Sequence, residues 1–543
     1  MERLAVLPLE NLTSDPALDW VGPAVSSMIA EQVSASTKVY PYRADALRDA
    51  RLTGAARVVE GYYIQSAGRL RFHAVVEDLR SVRNVSALDA QSDLGGGNLS
   101  AASESMAQAI DPRIRPFGTQ NGAAIRAWGE AMVAPNPAAK IAGLNRAIIA
   151  DPNFGTAYVD LCGLYAASGD GTGLQQILKQ ADDHLSQFTD LERARLEYVE
   201  SGVRQDPRQR REALVALSRL VSTDPQTIRA LGETELNARR FDAAVDLFKS
   251  ALAMNPDSPE LLNDLGYAEA YRGNLDGARS ALERYRALQP NQPNALDSLG
   301  EVHFMAGRFA DAEKYFVDAQ RMQPDFLGGV ELLKAAQARY LAGNRAGADE
   351  LYAQFDQFRR QGGDALANIR RAEWLRITGR AQEAVAAAEA ASSGPNPDLA
   401  AYALAHLSLW AMDSGDRAKA ADLAGRASQT ARNPNVQRLA AMCRLITAPQ
   451  PQMPELAQAY ASLFAKDAAK AAAVLKPLYD RSPPASDGDI RALYAWALAD
   501  SGNTAEARRL VERYFIPMGA GEEPLFTTEV FPHFVALRTN LIK

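Results

Sequence analysis

A spacing of 34 residues runs through the middle of this 543-residue chain and places the strongest limit on its fold. Leu-Gly pairs begin at Leu231, Leu265 and Leu299. Three further columns keep the same phase, namely Ala244, Ala278 and Ala312, then Phe248, Leu282 and Phe316, then Pro256, Pro290 and Pro324. Because a pair of helices cannot bury its apolar face alone, a period of this length predicts helical hairpins that stack on one another.

The order of residues within one repeat resembles the tetratricopeptide repeat family. The matching positions are Leu265, Gly266, Gly273, Ala278, Leu282, Tyr285 and Pro290. The small side chains mark the places where the two helices of a pair approach each other. The resemblance covers residues 226–324, and it implies a right-handed superhelix in which the first helix of each pair lines a concave surface.

The period lengthens downstream but continues. Glycines 36 residues apart, each followed five residues later by alanine, are Gly307, Gly343, Gly379 and Gly415. The same offset recurs at Gly502 and Ala507, and weaker repeats end at Pro152 and Pro225. We therefore expect about nine or ten helical hairpins within residues 121–515.

Strand periodicity replaces helical periodicity in the first hundred residues. Apolar residues predict a strand at 4–9, and two β-rich segments at 58–65 and 70–78 predict a hairpin that turns at Ala67-Gly68. Residues 21–33 are typical of a helix with proline near its start. This order of strands and helices predicts an α/β fold.

These patterns divide the chain into four parts. A small α/β domain is expected at 1–95, and a linker helix at 96–120. Three glycines at 95–97 favour a flexible linker over a phosphate-binding loop, because the Lys and Ser/Thr of such a loop are absent. The repeat array at 121–515 is followed by a tail at 516–543, which we expect to fold back as a cap. The predicted class is thus mainly α, with an α-α superhelix behind a small α/β domain.

The start of the chain also resembles the N-terminal domain of the Tol translocation protein B. The residues that carry the resemblance are Val6, Leu7, Pro8, Asn11, Leu12, Asp15, Pro16, Glu60, Gly61 and Gly68. It covers about residues 3–90. Relatives of this domain occur in bacterial proteins beside tetratricopeptide repeats, often behind a winged-helix domain, an adenylate cyclase or a serine/threonine kinase. The resemblance implies a sensory or interaction module whose output domain is absent from this sequence.

Charge and composition exclude several functions. A net charge of −7 and a pI near 5.5 argue against a nucleic-acid partner, since phosphate contacts need clustered Lys and Arg. The first residues do not have the pattern of a signal peptide and no apolar run approaches the ~20 residues of a membrane span, so we expect neither a leader nor a span in this sequence. We expect a cytoplasmic protein, or a periplasmic one if the chain is a fragment of a membrane-anchored protein. Cys162 and Cys443 fall in different helical repeats and are expected to be buried without a disulfide.

Catalytic and metal-binding patterns do not stand out. The five histidines are scattered without a second His or Cys at ligand spacing, so we expect no metal site and no cofactor. His73 shares a strand face with Glu77 and is expected to pair with it. The motifs of protein kinases and serine hydrolases are also missing, and the chain is expected not to be an enzyme.

The resemblance to tetratricopeptide repeats assigns candidate partner-binding positions on the first helix of each repeat. They are Arg229, Glu233, Glu260, Asn263, Tyr267, Tyr271, Asp297, Glu301 and Phe304. Carboxylates and aromatic rings dominate this set, which favours an extended protein or peptide segment carrying Lys or Arg beside apolar side chains. In the alternative interpretation the rings only fill gaps between repeats and the carboxylates only keep the groove hydrated.

The function that follows is a non-enzymatic module that binds a partner segment in the concave groove of the array. The alternative is the C-terminal regulatory half of a larger bacterial signalling protein, with a kinase, cyclase or winged-helix output domain. A third option is self-assembly, in which the repeats bind a second copy of the chain.

Overall fold

The computed structural model of the protein describes residues 1–93, 97–518 and 526–542. Six strands lie at the N-terminal end of the described chain, and 27 α-helices account for most of the remainder. The predicted fold class, a helical repeat protein with a small N-terminal α/β region, is confirmed. The chain divides into two compact units. The N-terminal unit comprises Met1–Thr234 and Asp246–Pro256, and the C-terminal unit comprises Glu235–Val245 and Asp257–Lys543.

The N-terminal unit begins with a mixed sheet. Its strands are β1 Glu2–Val6, β2 Glu10–Asn11, β3 Val39–Arg43, β4 Arg57–Ser66, β5 Arg69–Asp78 and β6 Arg83–Asp93. The order is β3-β1-β4-β5-β6, with β2 beside β4. Strand β1 is parallel to β3 and β4, whereas β4, β5 and β6 are antiparallel. Strand β3 therefore forms one edge of the sheet.

The predicted hairpin is present as β4 and β5. Ser66 pairs with Arg69 across a two-residue turn, and Ala67 and Gly68 have φ of 52° and 77°. Two positive φ values match the right-handed twist of the strands, which is why short hairpins use such turns. Strand β6 was not predicted by the periodicity, and the resemblance to the Tol domain is poor over these residues. The strand adds ten further cross-strand pairs to β5 and completes the sheet.

Helices cover both faces of the sheet. The helices are α1 Val21–Val33, α2 Leu47–Leu52 and α3 Leu99–Ile110. Leu4 and Val6 of β1 point into the core shared with α1 and α3, whereas Ala5 points to the smaller core under α2. Alternate residues of one strand thus serve two cores, because side chains on a strand alternate between faces. Glycines 95 and 96 of the expected linker lie outside the described residues.

Helical hairpins follow in the same unit. They are formed by α4 Gly122–Met132, α5 Pro137–Ala150, α6 Gly155–Ser168, α7 Gly171–Asp182, α8 Asp190–Val203, α9 Pro207–Leu220, α10 Pro225–Asn237 and α11 Phe241–Met254. The division between the two units falls within α10 and α11. Polar side chains cap several of these helices, and at α8 Thr189 and Glu192 form a reciprocal capping box. Each such cap stabilises its helix by about 1 kcal/mol.

The C-terminal unit continues the pattern. Its helices are α12 Pro259–Tyr271, α13 Leu275–Leu288, α14 Asn294–Met305, α15 Phe309–Met322, α16 Val330–Leu341, α17 Arg345–Gln361, α18 Ala367–Ile377, α19 Ala381–Ser392, α20 Pro397–Asp413, α21 Arg417–Thr430, α22 Pro434–Thr447, α23 Glu455–Phe464, α24 Ala468–Arg481, α25 Gly488–Asp500, α26 Thr504–Leu510 and α27 Thr527–Leu541. The described helices from α4 to α26 number 23, enough for eleven hairpins and one extra helix, compared with the nine or ten hairpins expected. The extra helix is α22, which packs on α20 and α21.

The residue columns of the sequence have distinct structural causes. A Cβ atom at Gly300 would lie 2.5 Å from Cε1 of Phe316, so the glycine allows the second helix of the repeat to approach. Five alanines of the repeat are fully buried, namely Ala278, Ala312, Ala348, Ala384 and Ala420. The glycines of the longer period lie in the turns between paired helices. Gly307 and Gly343, for example, have φ of 74° and 93°, a region that glycine adopts without strain.

The tail of the chain packs against the middle of the C-terminal unit. We define the C-terminal segment as residues 511–518 and 526–542, since 519–525 lie outside the described residues. The backbone N–H of Tyr514 donates to the carbonyl oxygen of Met305 at 2.9 Å. Helix α27 contacts α18, α20, α25 and α26, and Phe531 and Phe534 are buried in the main core of the unit. The segment therefore covers helices far from the end of the array as well as the last pair, which a simple terminal cap would not do.

Other features agree with the sequence. Cys162 and Cys443 are both free and buried, and burial raises the pKa of each thiol to about 12. Within the residues that the structure describes, no helix is long and apolar enough to cross a membrane.

Candidate functional site

Four of the predicted groove residues come together on the first helices of two successive repeats. Tyr267 and Tyr271 lie on α12, and Asp297 and Glu301 lie on α14. The Tyr267 hydroxyl donates to Oε2 of Glu301 at 2.7 Å, and the rings of Tyr267 and Tyr271 stack with centroids 6.2 Å apart. The sequence therefore identified a real cluster of acidic and aromatic side chains.

A lysine that the sequence analysis did not select already occupies this cluster. Nζ of Lys334, on α16, donates to Oδ1 of Asp297 at 2.5 Å and to Oε1 of Glu301 at 2.8 Å. The Lys334 side chain is only 6% exposed. The repeat spacing could have identified this lysine. Leu333 lies 34 residues after Leu299, so Lys334 takes the position that Gly300 has in the preceding repeat.

Protonation in the cluster reflects its burial. Burial and the charge of Glu301 raise the pKa of Asp297 to about 6, and burial and Asp297 raise the pKa of Glu331 to about 9. Burial disfavours the charged form of Lys334, but the surrounding carboxylates outweigh burial and raise its pKa. Lys334 thus pairs with Asp297 and Glu301, and burial favours the protonated form of the neighbouring Glu331.

The C-terminal segment supplies a second internal cation. The Arg513 guanidinium lies 4.5 Å from the centre of the Tyr271 ring. The next residue, Tyr514, packs edge-to-face on Phe309 and on Phe304. Phe304 is 0% exposed and belongs to the main core of the unit, so its side chain has no surface with which to contact a partner.

Of the remaining predicted residues, Asn263 adjoins the cluster through Ser298, and the others lie apart from it. Glu260 is exposed and accepts a hydrogen bond from the Ser258 hydroxyl at 2.8 Å. Asn263 accepts one from the Ser298 hydroxyl at 2.9 Å. Arg229 and Glu233 belong to the N-terminal unit, where they form an ion pair of 3.2 Å along one face of α10.

The N-terminal unit contains an open cleft that the sequence analysis did not predict. Its volume is about 960 Å³. Strand β3 and helix α1 line the cleft, together with α4, α5, α6, α8, α9 and α10. Apolar and aromatic side chains line much of it, including Phe117, Trp128, Met132, Leu214 and Leu217. Each of the first four hairpins thus contributes at least one helix to this cleft.

Most charged groups of the cleft have partners within the unit. Oε2 of Glu31 lies 2.8 Å from Nη1 of Arg195. The indole N–H of Trp128 donates to Oδ2 of Asp160 at 2.7 Å, and burial raises the pKa of this carboxyl above its usual value. Asp224 caps α10 by accepting from the backbone N–H of residue 226 at 3.0 Å.

Two tyrosines and two cationic side chains complete the polar lining of the cleft. Tyr40 and Tyr42 stack on each other with ring centroids 5.8 Å apart, and burial and Asp224 raise the pKa of Tyr40 to about 12. Arg43 and Lys140 line the cleft, and neither forms an ion pair with a described residue. Arg43 and Lys140 can therefore contact a ligand without breaking an internal ion pair, whereas the Tyr42 hydroxyl already lies 2.6 Å from Oγ1 of Thr53.

No metal site is recognisable among the described residues. In this part of the chain, no group of three or more His, Cys, Asp or Glu side chains could hold an ion. His73 does not pair with Glu77 as predicted. Its Nδ1 lies 2.7 Å from Oδ1 of Asp89 on the neighbouring strand β6. The reason is the register, which places His73 directly opposite Asp89.

Comparison with known proteins identifies the class of repeat. Residues 229–293 and 263–326 match the family model of the tetratricopeptide repeat. These residues form α10 to α15, so the chain contains tetratricopeptide repeats in this region. A search of curated protein sequences gives no significant match.

Solved structures with similar helical hairpins include PilW, a widely conserved type IV pilus biogenesis factor. It is 21% identical, with a TM-score of 0.32, and the similarity covers 37% of this chain and 92% of PilW. YrrB, a tetratricopeptide repeat protein described with an unusual peptide-binding site, is 17% identical, with a TM-score of 0.30 and coverage of 36% and 97%. PilF of Pseudomonas aeruginosa is 16% identical, with a TM-score of 0.30 and coverage of 39% and 94%.

Proposed function

We propose that the protein is a non-enzymatic protein-binding module whose partner segment binds in the cleft of the N-terminal unit. The observation that carries this proposal is a contrast between two surfaces. In the central repeats, the acidic and aromatic side chains already contact cations of the same chain. Lys334 donates to Asp297, and the Arg513 guanidinium lies over the Tyr271 ring. In the cleft, Arg43 and Lys140 lie beside apolar walls without an ion pair to a described residue.

The chemistry of the cleft defines the partner. The sequence favoured a segment with basic and apolar side chains, but the carboxylates behind that prediction pair with Lys334. In the cleft the available charges are cationic, so the proposed segment carries a carboxylate for Arg43 and Lys140 together with apolar side chains for the walls. The Trp128 indole N–H donates to Oδ2 of Asp160, so Oδ1 of the same carboxyl can accept a backbone N–H of the segment.

Size and strand chemistry indicate how the segment binds. A volume of about 960 Å³ lies at the upper end of ligand pockets, which suits a few residues of extended chain. Strand β3 is an edge strand that contains Pro41. Because proline has no N–H, it removes a backbone donor from this edge and disfavours addition of a further strand. Recognition through side chains is therefore the expected mode.

Site-specific photocrosslinking in the native host tests the proposal. A benzophenone amino acid replaces Tyr42 in the cleft, and the matched control replaces Tyr62, which is 39% exposed on β4 and does not line the cleft. We expect position 42 to crosslink a defined segment that contains acidic and apolar residues. Equal crosslinking of that segment from position 62 would refute binding in the cleft.

Charge reversal provides the second arm. The double variant Arg43→Glu/Lys140→Glu should abolish the crosslink from position 42, because the carboxylate of the partner segment would then face two carboxylates of the cleft. Arg48→Glu, at an exposed position of α2 that does not line the cleft, should leave it unchanged. An unaltered crosslink in the double variant would overturn the proposed partner chemistry.

The regulatory alternative stays a prediction. It depends on the resemblance of residues 3–90 to the Tol translocation protein B domain, which neither the family match nor the similar structures test. Self-assembly through the repeats also stays a prediction.

A further inference from the structure

A second cavity, in the C-terminal unit, has five arginines among its lining residues. Its volume is about 400 Å³. The arginines are Arg239, Arg272, Arg491, Arg509 and Arg513, and Glu512 is the one carboxylate among the lining residues. Aromatic side chains of Phe241, Tyr271 and Tyr479 complete the walls. We call this cavity the arginine pocket.

Three of these guanidinium groups share a single carboxylate. Asp487 is 1% exposed, and its oxygens lie 2.8 Å from Nη1 of Arg239, 3.0 Å from Nε of Arg491 and 3.5 Å from Nη2 of Arg513. Three positive charges therefore face one negative charge in a largely buried setting. Arg272 is different, because it pairs separately with Glu269 at 2.6 Å.

The other contacts of the three arginines are uncharged. Arg491 donates to the carbonyl oxygens of Leu510 at 2.7 Å and of Arg513 at 2.6 Å. Arg239 donates to the carbonyl oxygens of Tyr479 at 3.2 Å and of Ser482 at 3.0 Å. Carbonyl oxygens satisfy N–H donors, but they do not neutralise charge. About two positive charges thus remain uncompensated among the described residues, and buried uncompensated charge is strongly unfavourable.

Arg513 carries the clearest sign of this imbalance. Its guanidinium lies on the face of Tyr271, and its side chain is 17% exposed. Burial and the charge of Arg491 lower the pKa of Arg513 to about 10. Arg509 also lines the pocket, from the more exposed side, and forms no ion pair with a described residue. Two guanidinium groups are therefore available to an anion that enters the pocket.

We propose that the arginine pocket binds a phosphate group in its dianionic form, held by Arg513 and Arg509 and compensating the excess charge around Asp487. Planar guanidinium groups bind phosphate oxygens in pairs, which fits this donor set. A phosphate dianion also matches two uncompensated positive charges, whereas a single carboxylate matches one. The phosphate can be a free ion or a monoester, and the two sources share this chemistry. The site lies in a different unit from the proposed partner cleft and does not depend on it.

Calorimetric titration of the full chain tests this inference. At pH 8 and constant ionic strength, inorganic phosphate and phosphoserine are the two phosphate probes, and succinate and chloride are the comparison anions. We expect saturable binding of at least one phosphate probe. Preference for phosphoserine would assign a monoester, and preference for inorganic phosphate would assign the free ion. Equal binding of succinate would overturn the assignment to phosphate, and absence of binding would overturn the site.

Variants of two arginines locate the bound anion. Arg509→Gln changes an exposed side chain, so the protein should fold normally, and phosphate affinity should fall at least tenfold. Arg513→Gln should weaken binding further, with circular dichroism confirming the fold. Arg508→Gln is the matched control, since Arg508 is exposed on the same helix and does not line the pocket. Unchanged affinity in Arg509→Gln, or an equal loss in Arg508→Gln, would refute the inference.

Discussion

The guanidinium of Arg513 lies 4.5 Å from the centre of the Tyr271 ring. Tyr271 was predicted to hold a basic side chain of a partner, and the chain itself provides that side chain. Lys334 does the same for Asp297 and Glu301. The acidic and aromatic side chains that the sequence selected thus contact cations of the same chain in the structure. Because the chain's own cations contact these side chains, we place the proposed partner site in the open cleft of the N-terminal unit instead.

Replacing Lys334 should reveal how strongly the internal ion pair stabilises the C-terminal unit. Lys334→Met leaves Asp297 and Glu301 without their buried cation, and the loss of one partner of a buried pair costs about 3–5 kcal/mol. We expect a clear fall in the thermal unfolding temperature at pH 7. Lys314→Met, at an exposed site on α15, is the control and should have little effect. Adding Asp297→Asn and Glu301→Gln should restore part of the loss, and no restoration would contradict the ion-pair explanation.

Glu331 should make stability depend on pH. Its pKa is raised from its ordinary value to about 9 in the folded protein. Between its ordinary pKa and pH 9 the unfolded chain releases this proton while the folded protein keeps it, so stability falls by about 1.4 kcal/mol per pH unit. Glu331→Gln removes this penalty. Its unfolding temperature relative to wild type should therefore rise from pH 5 to pH 8.

The control for this pH effect is Glu350→Gln, at an exposed position of α17. This variant should follow the wild-type pH profile measured by differential scanning calorimetry. A Glu331→Gln profile parallel to wild type across the same range would show that Glu331 ionises normally.

Close helix approach in the repeats should be sensitive to a single methyl group. At Gly300 an added Cβ would lie 2.5 Å from Phe316, so Gly300→Ala must displace the ring and should destabilise by about 1–3 kcal/mol. Gly425→Ala is the matched control, because no atom lies within 4 Å of its added Cβ. On an exposed helix this change should stabilise by roughly 0.5–1 kcal/mol. The free energy of unfolding, measured in urea, should therefore fall in Gly300→Ala and rise in Gly425→Ala. Equal changes in the two variants would contradict the packing explanation.

Amide hydrogen exchange can measure how much the C-terminal segment protects the central repeats. Phe531 is buried in the main core, and Phe531→Ala should cost about 3–5 kcal/mol. Amide protection should then fall in α14, far away in sequence. Asn540→Ala, at an exposed position of the same helix, should leave protection unchanged. If α14 keeps full protection in Phe531→Ala, the segment does not stabilise those repeats.

Local sequence signals predicted much of the architecture. The turn at Ala67-Gly68 was predictable because a two-residue hairpin needs positive φ. The Gly and Ala columns were predictable because each repeat solves the same packing problem with the same small residues. Helix α22 was missed, since it carries neither column. The pairing of His73 was also wrong, because cross-strand register is not encoded along a single strand.

The sequence by itself determined the repeat class, the α/β start and the acidic and aromatic character of the central repeats. These features depend on neighbours within one or two repeats, where spacing is a sufficient guide. Only the tertiary structure decided which surfaces remain open. Arg513 reaches Tyr271 across more than 240 residues, and Arg239 reaches Asp487 across a similar distance in sequence. Such contacts arise when the array brings remote segments together, and residue spacing carries no information about them.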